Sequence, residues 1–218
     1  MDRAEVARIL DVSHETLGAL DRYIDLLRKW QARINLVAAP TLDDVWARHI
    51  LDCGQLLAFA PETAERWVDI GSGAGLPGLV LAILLREKRP TDRMVLVESN
   101  QKKCAFLLEA IRVTGAPASV RSGRIEQVVS GPAAPECDVV TARALAPLKD
   151  LLELASPLLM KGAMGLFPKG QDVDAELTDA AKSWKMEVKL LPSLTDPHGR
   201  IACVRALASR LSSDGTLS

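Results

Sequence analysis

Through the first sixty residues apolar side chains return every third or fourth position, the spacing that lays one stripe along a helix. Leu17, Leu20, Ile24, Leu27 and Trp30 predict an amphipathic helix of about five turns, capped by Ser13 with Glu15 in its first turn. A short helix is expected over 1–10. Thr41, with Asp44 three residues on, predicts the start of a further helix whose stripe is Trp46, Ile50, Cys53 and Leu57. His49 and Asp52 fall three apart beside that stripe, where they are close neighbours. Pro61 ends the unit, so residues 1–60 are expected to form an all-helical cap.

From residue 66 the period changes. Short apolar runs at 66–70, 94–97, 118–121, 137–141 and 163–167 alternate with helical stretches at 77–87, from near Gln101 to Gly115, at 148–159 and at 172–184. Runs near 186–191 and 201–207, with a turn at Asp196–Gly199 between them, predict a closing hairpin. This alternation describes an α/β domain over 61–208 with a mostly parallel sheet. The tail, 209–218, is expected to be frayed and disordered.

One stretch carries most of the chemistry. Trp67–Ile70 is a short apolar run holding one acid, Asp69, and four glycines follow within eight residues at Gly71, Gly73, Gly75 and Gly78. A second apolar run, Leu79–Leu85, comes next. Strand, glycine loop and helix in this order bind nucleotide-like cofactors. Pro77 and Gly78 fit the first turn of the helix. The absence of Gly-Lys-Ser/Thr excludes a phosphate-cradling P-loop. A dinucleotide loop would begin at Gly71 and would then place its third glycine at Leu76, so its register is poor. Asp69-x-Gly71-x-Gly73-x-Gly75 instead resembles the first motif of Rossmann-like methyltransferases using S-adenosylmethionine (AdoMet), and Asp69 would sit awkwardly beside a pyrophosphate. A glycine turn without a ligand is the remaining alternative. The late hairpin suits a class I methyltransferase sheet of seven strands, the last antiparallel, while flavodoxin-like and dinucleotide-binding orders remain compatible.

Composition adds little. Of 218 residues, 48% are hydrophobic and 25% charged, as in an ordinary soluble globule. The net charge of −1 conceals an acidic first part, with 7 basic and 11 acidic side chains over 1–65, against 20 and 17 afterwards. Cys53, Cys104, Cys137 and Cys203 lie 51, 33 and 66 residues apart, spacings that predict buried thiols and no metal site. The chain is charged from its second residue, and the run at 79–85 is too short to cross a bilayer, so a cytoplasmic protein is expected.

Further candidates stand at strand ends. Glu98 closes the second strand, 27 residues after Gly71, where an acid accepts from ribose hydroxyls in either nucleotide reading. Arg124–Ile125–Glu126 follows the third strand and would meet an adenine edge or form a surface ion pair. Arg143 and Lys169 follow the fourth and fifth strands; two cations on one rim suit phosphate, and equally suit solvent. His49 fits either a hydrogen bond to Asp52 or a direct role. Lys102 and Lys103 fit helix surface or a basic face.

Together these motifs resemble the RsmG (GidB) family of bacterial 16S rRNA guanine N7-methyltransferases, which modify position 527. The resemblance runs from about Leu26 to Arg205 and rests on Trp30-x-x-x-Ile34–Asn35–Leu36, Arg48–His49–Ile50-x-Asp52, the Asp69–Gly78 loop with its Gly75–Leu76–Pro77–Gly78, and Glu98–Ser99-x-x-Lys102–Lys103-x-x-Phe106–Leu107. Gly123–Arg124-x-Glu126, Thr141-x-Arg143–Ala144, Lys169–Gly170 and His198–Gly199–Arg200 continue it. Cys53 departs from the serine usual in the family, and Ala38–Ala39 from a commoner threonine-containing turn.

The resemblance implies that Asp69, Gly71, Ser72, Gly73, Gly75 and Leu76 line the methionine end of AdoMet. It implies Glu98 and Ser99 at the ribose, Arg124, Ile125 and Glu126 at the adenine, and Arg143 beside both cofactor and acceptor. Asn35, Arg48, His49, Arg143, Lys169 and Arg200 would line the opening toward RNA. His49 and Arg143 would serve catalysis by orienting the base or its phosphates, since guanine N7 has a lone pair that needs no deprotonation. The implied partner is 16S rRNA in the 30S subunit or a precursor particle, bound by a monomer without metal or membrane. An AdoMet enzyme for another RNA or a small molecule, and a non-catalytic ribosome-associated AdoMet-binding protein, are the alternatives.

Overall fold

The computed structural model describes residues 1–209. Five parallel strands, β1 (Arg66–Ile70), β2 (Arg93–Glu98), β3 (Ala118–Ser122), β4 (Val139–Thr141) and β5 (Met164–Lys169), are completed by a hairpin of β6 (Trp184–Pro192) and β7 (Arg200–Ser209). Their order is β3-β2-β1-β4-β5-β7-β6, with β7 antiparallel to both its neighbours. Insertion of β7 between β5 and β6 separates this class I methyltransferase sheet from the flavodoxin and dinucleotide orders. The chain reverses direction across the sheet between β1 and β4, and that switch point opens a crevice at their carboxyl ends.

Helices cover both faces. On one lie α2 (His14–Gln31), α4 (Gly78–Lys88) and α5 (Gln101–Thr114); on the other lie α6 (Ile125–Ser130), α7 (Leu148–Leu159) and α8 (Val173–Ser183). The run Leu79–Leu85 is buried on every side because α4 is sandwiched between the sheet and α2. Side chains of the first sixty residues, among them Leu20, Leu27 and Ile50, share one continuous core with Leu79, Leu81 and Phe106. α6 was not among the expected elements; its six residues are too few for a periodic signal. Ser209 ends β7, and the rest of the expected frayed tail, 210–218, lies outside the described residues. No helix among the described residues is long and apolar enough to cross a membrane.

The cap departs from its periodic reading in one segment. α1 (Arg3–Leu10) and α2 form as expected, with the Ser13 hydroxyl accepting from the Thr16 N–H. Thr41, however, does not begin a helix: it lies inside a 3-10 turn, Ala39–Leu42. Helical backbone restarts at Trp46 as a π-helical stretch (Trp46–Leu51), passes through the single turn α3 (Asp52–Gly54) and closes as a 3-10 turn (Gln55–Phe59). Such wide turns recur at functional sites, where they redirect side chains from the regular stripe. His49 and Asp52 accordingly do not bond to each other; both reach Arg143, and each has a threonine of its own, Thr41 for His49 and Thr195 for Asp52.

Candidate active site

The loops that leave β1, β2, β3, β4 and β5 surround a groove with three connected lobes. The first, about 370 Å³, is walled by Gly71, Glu98, Ser99, Lys103 and Arg124–Glu126. The second, about 460 Å³, lies between the glycine loop and the cap segment Asn35–Ala38, with Thr41, His49, Leu76 and Arg143 on its walls. The third, about 320 Å³, is an outer extension lined by Arg48, Asp52, Lys169 and Arg200. Gly71, Lys103 and Ala144 belong to the first two lobes, and Arg143 and Ala144 to the last two. Ala144 has φ 51°, a left-handed conformation that costs a non-glycine residue on the order of 1 kcal/mol. The turn it makes sends Arg143 toward the cap and Leu145 against Gly71.

The first lobe brings together every residue expected at an adenosine. The Glu98 carboxylate accepts from the Gly73 N–H at 2.9 Å and from the Asn100 N–H at 2.8 Å. A carboxylate has about four lone-pair positions, so capacity remains for two hydroxyls. Arg124 and Glu126 both border the lobe and form no ion pair with each other among the described residues.

The glycine loop divides into two jobs. Gly73 has φ +55°, and a Cβ there would meet nothing nearer than the Gly71 carbonyl at 3.8 Å; the space its missing side chain leaves is cavity. Gly78 serves packing instead: a Cβ there would strike Asp69 Cβ at 2.5 Å, so only glycine lets α4 start this close to β1. Gly75 does not border the groove, because its Cβ direction points at Leu79 and Leu107.

Asp69 lies behind the glycine loop. Expected at the methionine end of a cofactor, it is fully buried beneath the loop and borders none of the lobes. Its Oδ1 accepts from the Thr141 hydroxyl at 2.8 Å, which ties β1 to β4, while its Oδ2 has no hydrogen-bond partner among the described residues. Burial pushes this carboxyl up to about 6. Ser72 is likewise buried, donating to the Asp69 carbonyl at 2.9 Å, and meets the second lobe along the edge of the loop.

His49 and Arg143 form the bridge between cap and sheet. Arg143 follows β4 and reaches across to donate to the Arg48 carbonyl at 2.9 Å, while its Nε lies 3.2 Å from Asp52 Oδ2. Its Nη1 donates to His49 Nδ1 at 3.2 Å and, at a longer 3.6 Å, to the Cys53 sulfur. Because arginine only donates, His49 Nδ1 must accept, and the ring proton sits on Nε2. From there it is donated to Thr41 Oγ1 at 2.8 Å, and Thr41 passes its own hydroxyl proton to the Ala38 carbonyl at 2.6 Å. Burial and the cations Arg143 and Arg48 hold the imidazole down at about 4. His49 is therefore neutral with both nitrogens engaged, a positioning group with no lone pair free for an incoming proton. Asp52 accepts from Thr195 at 2.7 Å, which links the bridge onward to the turn after β6.

The rim cations are unequal. Lys169 Nζ is paired with Glu176 Oε2 at 2.5 Å and donates to the Ala146 carbonyl, so it is compensated. Among the described residues Arg200 donates only to the Pro197 and Gly199 carbonyls and has no carboxylate partner, and exposed Arg48 makes no ion pair. Lys103, on α5 and facing two lobes, was overlooked as a site residue, as were Thr41 and the Leu36–Ala38 wall; their positions depend on how the cap folds back.

This groove has counterparts in sequence. Residues 16–202 match the GidB family model, rRNA small subunit methyltransferase G. The chain belongs to that family. Proteins named ribosomal RNA small subunit methyltransferase G from Methylobacterium radiotolerans and Parvibaculum lavamentivorans are similar to it: the first is 53% identical over 95% of this chain and 96% of its own length. The second is 51% identical over 95% of this chain and 90% of its own length. Among solved structures, a mutant of MtNAS in complex with S-adenosylmethionine (TM-score 0.55, 20% identity, 94% of this chain and 84% of that one) shares this chain's fold. So does M. capricolum TrmK with S-adenosyl-homocysteine (TM-score 0.52, 16% identity, 70% of this chain and 66% of that one).

Proposed function

We propose that this GidB-family protein transfers the methyl group of AdoMet to N7 of the guanine at position 527 of 16S rRNA. Family membership supports an rRNA methyltransferase of the small subunit. The observation that carries the site assignment is the meeting of the lobe lined by Glu98, Ser99 and Arg124–Glu126 with the cap-covered lobe at Gly71 and Ala144. AdoMet supplies an electrophilic methyl on a sulfonium. Glu98, Ser99 and the Arg124–Glu126 segment hold its nucleoside end, and the open space over Gly73 admits its chain.

The acceptor base enters the second lobe between the glycine loop and Asn35–Ala38. Guanine N7 attacks with its own lone pair, so the locked, neutral His49 suits a site that positions rather than deprotonates. Arg143 and His49 hold the cap wall, and Arg48 and Arg200 lie along the third lobe where the RNA backbone leaves. The protein acts as a cytoplasmic monomer on the 30S subunit or a precursor particle.

Transfer of labelled methyl from AdoMet to small-subunit particles, with the modified nucleotide mapped, tests this. Label at N7 of guanine 527 is the expected result. Label at another nucleotide, or on a small molecule only, overturns the acceptor; AdoMet binding with no methylated product favours a non-catalytic role.

A further inference from the structure

The wall of the acceptor lobe is held by a side chain that neither bounds the lobe nor belongs to any motif. Gln31, in the last turn of α2, uses its carboxamide as a strand would use a peptide group. Its Oε1 accepts from the Leu36 N–H at 2.9 Å and the Val37 N–H at 3.0 Å. Its Nε2 donates to the Val37 carbonyl at 2.8 Å and to Asn35 Oδ1 at 3.2 Å. Three of these partners are backbone groups, whose donor and acceptor identities are unambiguous, so the orientation of the Gln31 amide is determined by chemistry. With Nε2 pointing at Asn35, the atom of Asn35 that faces it must be oxygen. The Asn35 NH₂ group is then the end left over, and it makes no hydrogen bond to protein among the described residues; Asn35 is exposed and borders the acceptor lobe.

We propose that Gln31 sets the polarity of Asn35, so that the acceptor lobe presents a hydrogen-bond donor that selects guanine over adenine. On the base edge that carries N7, guanine offers the O6 acceptor where adenine offers the N6 donor. An NH₂ group directed at that edge accepts the first base and opposes the second. Binding through O6 leaves the N7 lone pair free to react. Gln31 is thus a positioning residue, acting through Asn35, and the inference rests on the acceptor assignment proposed above.

The test uses small-subunit particles carrying guanine or adenine at the target position, with kcat/KM for methyl transfer and the AdoMet Kd measured on each variant. Gln31→Glu keeps the acceptor for the Leu36 and Val37 N–H groups but turns an oxygen toward both the Val37 carbonyl, which loses its donor, and Asn35, which must rotate its amide and present Oδ1 to the lobe. Transfer to guanine should fall about tenfold, the worth of one reversed hydrogen bond, and the preference for guanine over adenine should narrow by a similar factor, with AdoMet affinity unchanged. Gln31→Met removes all four bonds and should lower the rate with a smaller loss of preference, since Asn35 then turns freely. Asn35→Ala should abolish the preference set at this edge. Wild-type discrimination in Gln31→Glu or Asn35→Ala overturns this inference alone, whereas absence of any transfer by the wild-type protein overturns the acceptor assignment and this inference with it.

Discussion

Removing one hydroxyl, Tyr23→Phe, tests how tightly the cap is coupled to the glycine loop. Tyr23 is fully buried on α2, and its Oη donates to the Ala74 carbonyl at 2.8 Å across a sequence distance of 51 residues. Among the described residues no backbone N–H donates to that carbonyl, and Ala74 is buried, so its oxygen has no ready substitute. Burial holds the phenol well above its usual range, so it remains a donor at any working pH. The substitution loses one neutral hydrogen bond and strands a buried acceptor, together about 2 kcal/mol. The phenyl ring is retained and its tilted contact with Phe106 survives, so no cavity cost is added. For a chain of this size about 2 kcal/mol corresponds to a fall of about 4–8 °C in thermal midpoint. Scanning calorimetry should show that fall, and titration with AdoMet should show weaker binding, because Ala74 adjoins Gly73, over which the AdoMet chain is proposed to pass. A midpoint within a degree of wild type would refute the idea that this bond holds the cap to the loop.

Other perturbations separate the remaining parts of the site. In Gly73→Val the added Cβ meets nothing nearer than 3.8 Å, so circular dichroism should report an intact fold, while a side chain in the cavity and strain of about 1–2 kcal/mol at φ +55° should remove AdoMet binding in calorimetry. His49 lies at about 4 in the folded protein against an ordinary 6.5, so the unfolded chain binds more protons between these values and stability is lost as pH falls from 6.5 toward 4. Asp69 acts oppositely: raised to about 6 from 3.8, it contributes most below pH 4 and loses that contribution as pH rises through 6. Denaturant unfolding across pH 4–6.5 should therefore show a steeper acid loss in Asp69→Asn than in wild type, and a shallower one in His49→Gln; parallel curves would refute both assignments. Asp52→Asn weakens the half-buried pair with Arg143 and should cost about 1–2 kcal/mol in urea unfolding, with a raised KM for particles and little change in AdoMet affinity.

Much of this protein is written locally. The alternation that predicts β1, α4, β2 and α5 depends on side chains a few positions apart, and those elements form close to their expected bounds. The lining of the first lobe was legible for the same reason: Gly71, Glu98 and Arg124–Glu126 stand at strand ends, and parallel strands bring all their carboxyl ends to one edge. The Thr41–Asp44 spacing does not start a helix because the Thr41 hydroxyl is engaged by the Ala38 carbonyl and by His49, a partner that the local pattern does not contain. Lys169 resembled a free cation because Glu176 is supplied by a helix on the far side of its loop.

What only the tertiary structure decided is which distant groups meet. Arg143 finds Arg48, His49 and Asp52 more than 90 positions away, Tyr23 finds Ala74, and Asp69 is sealed under α4. Such contacts follow from the packing of whole elements, set by the summed burial of many apolar side chains. No spacing within one segment encodes them. The order of glycines determined the kind of cofactor loop; the cap folded over it determined which atoms an acceptor base would face.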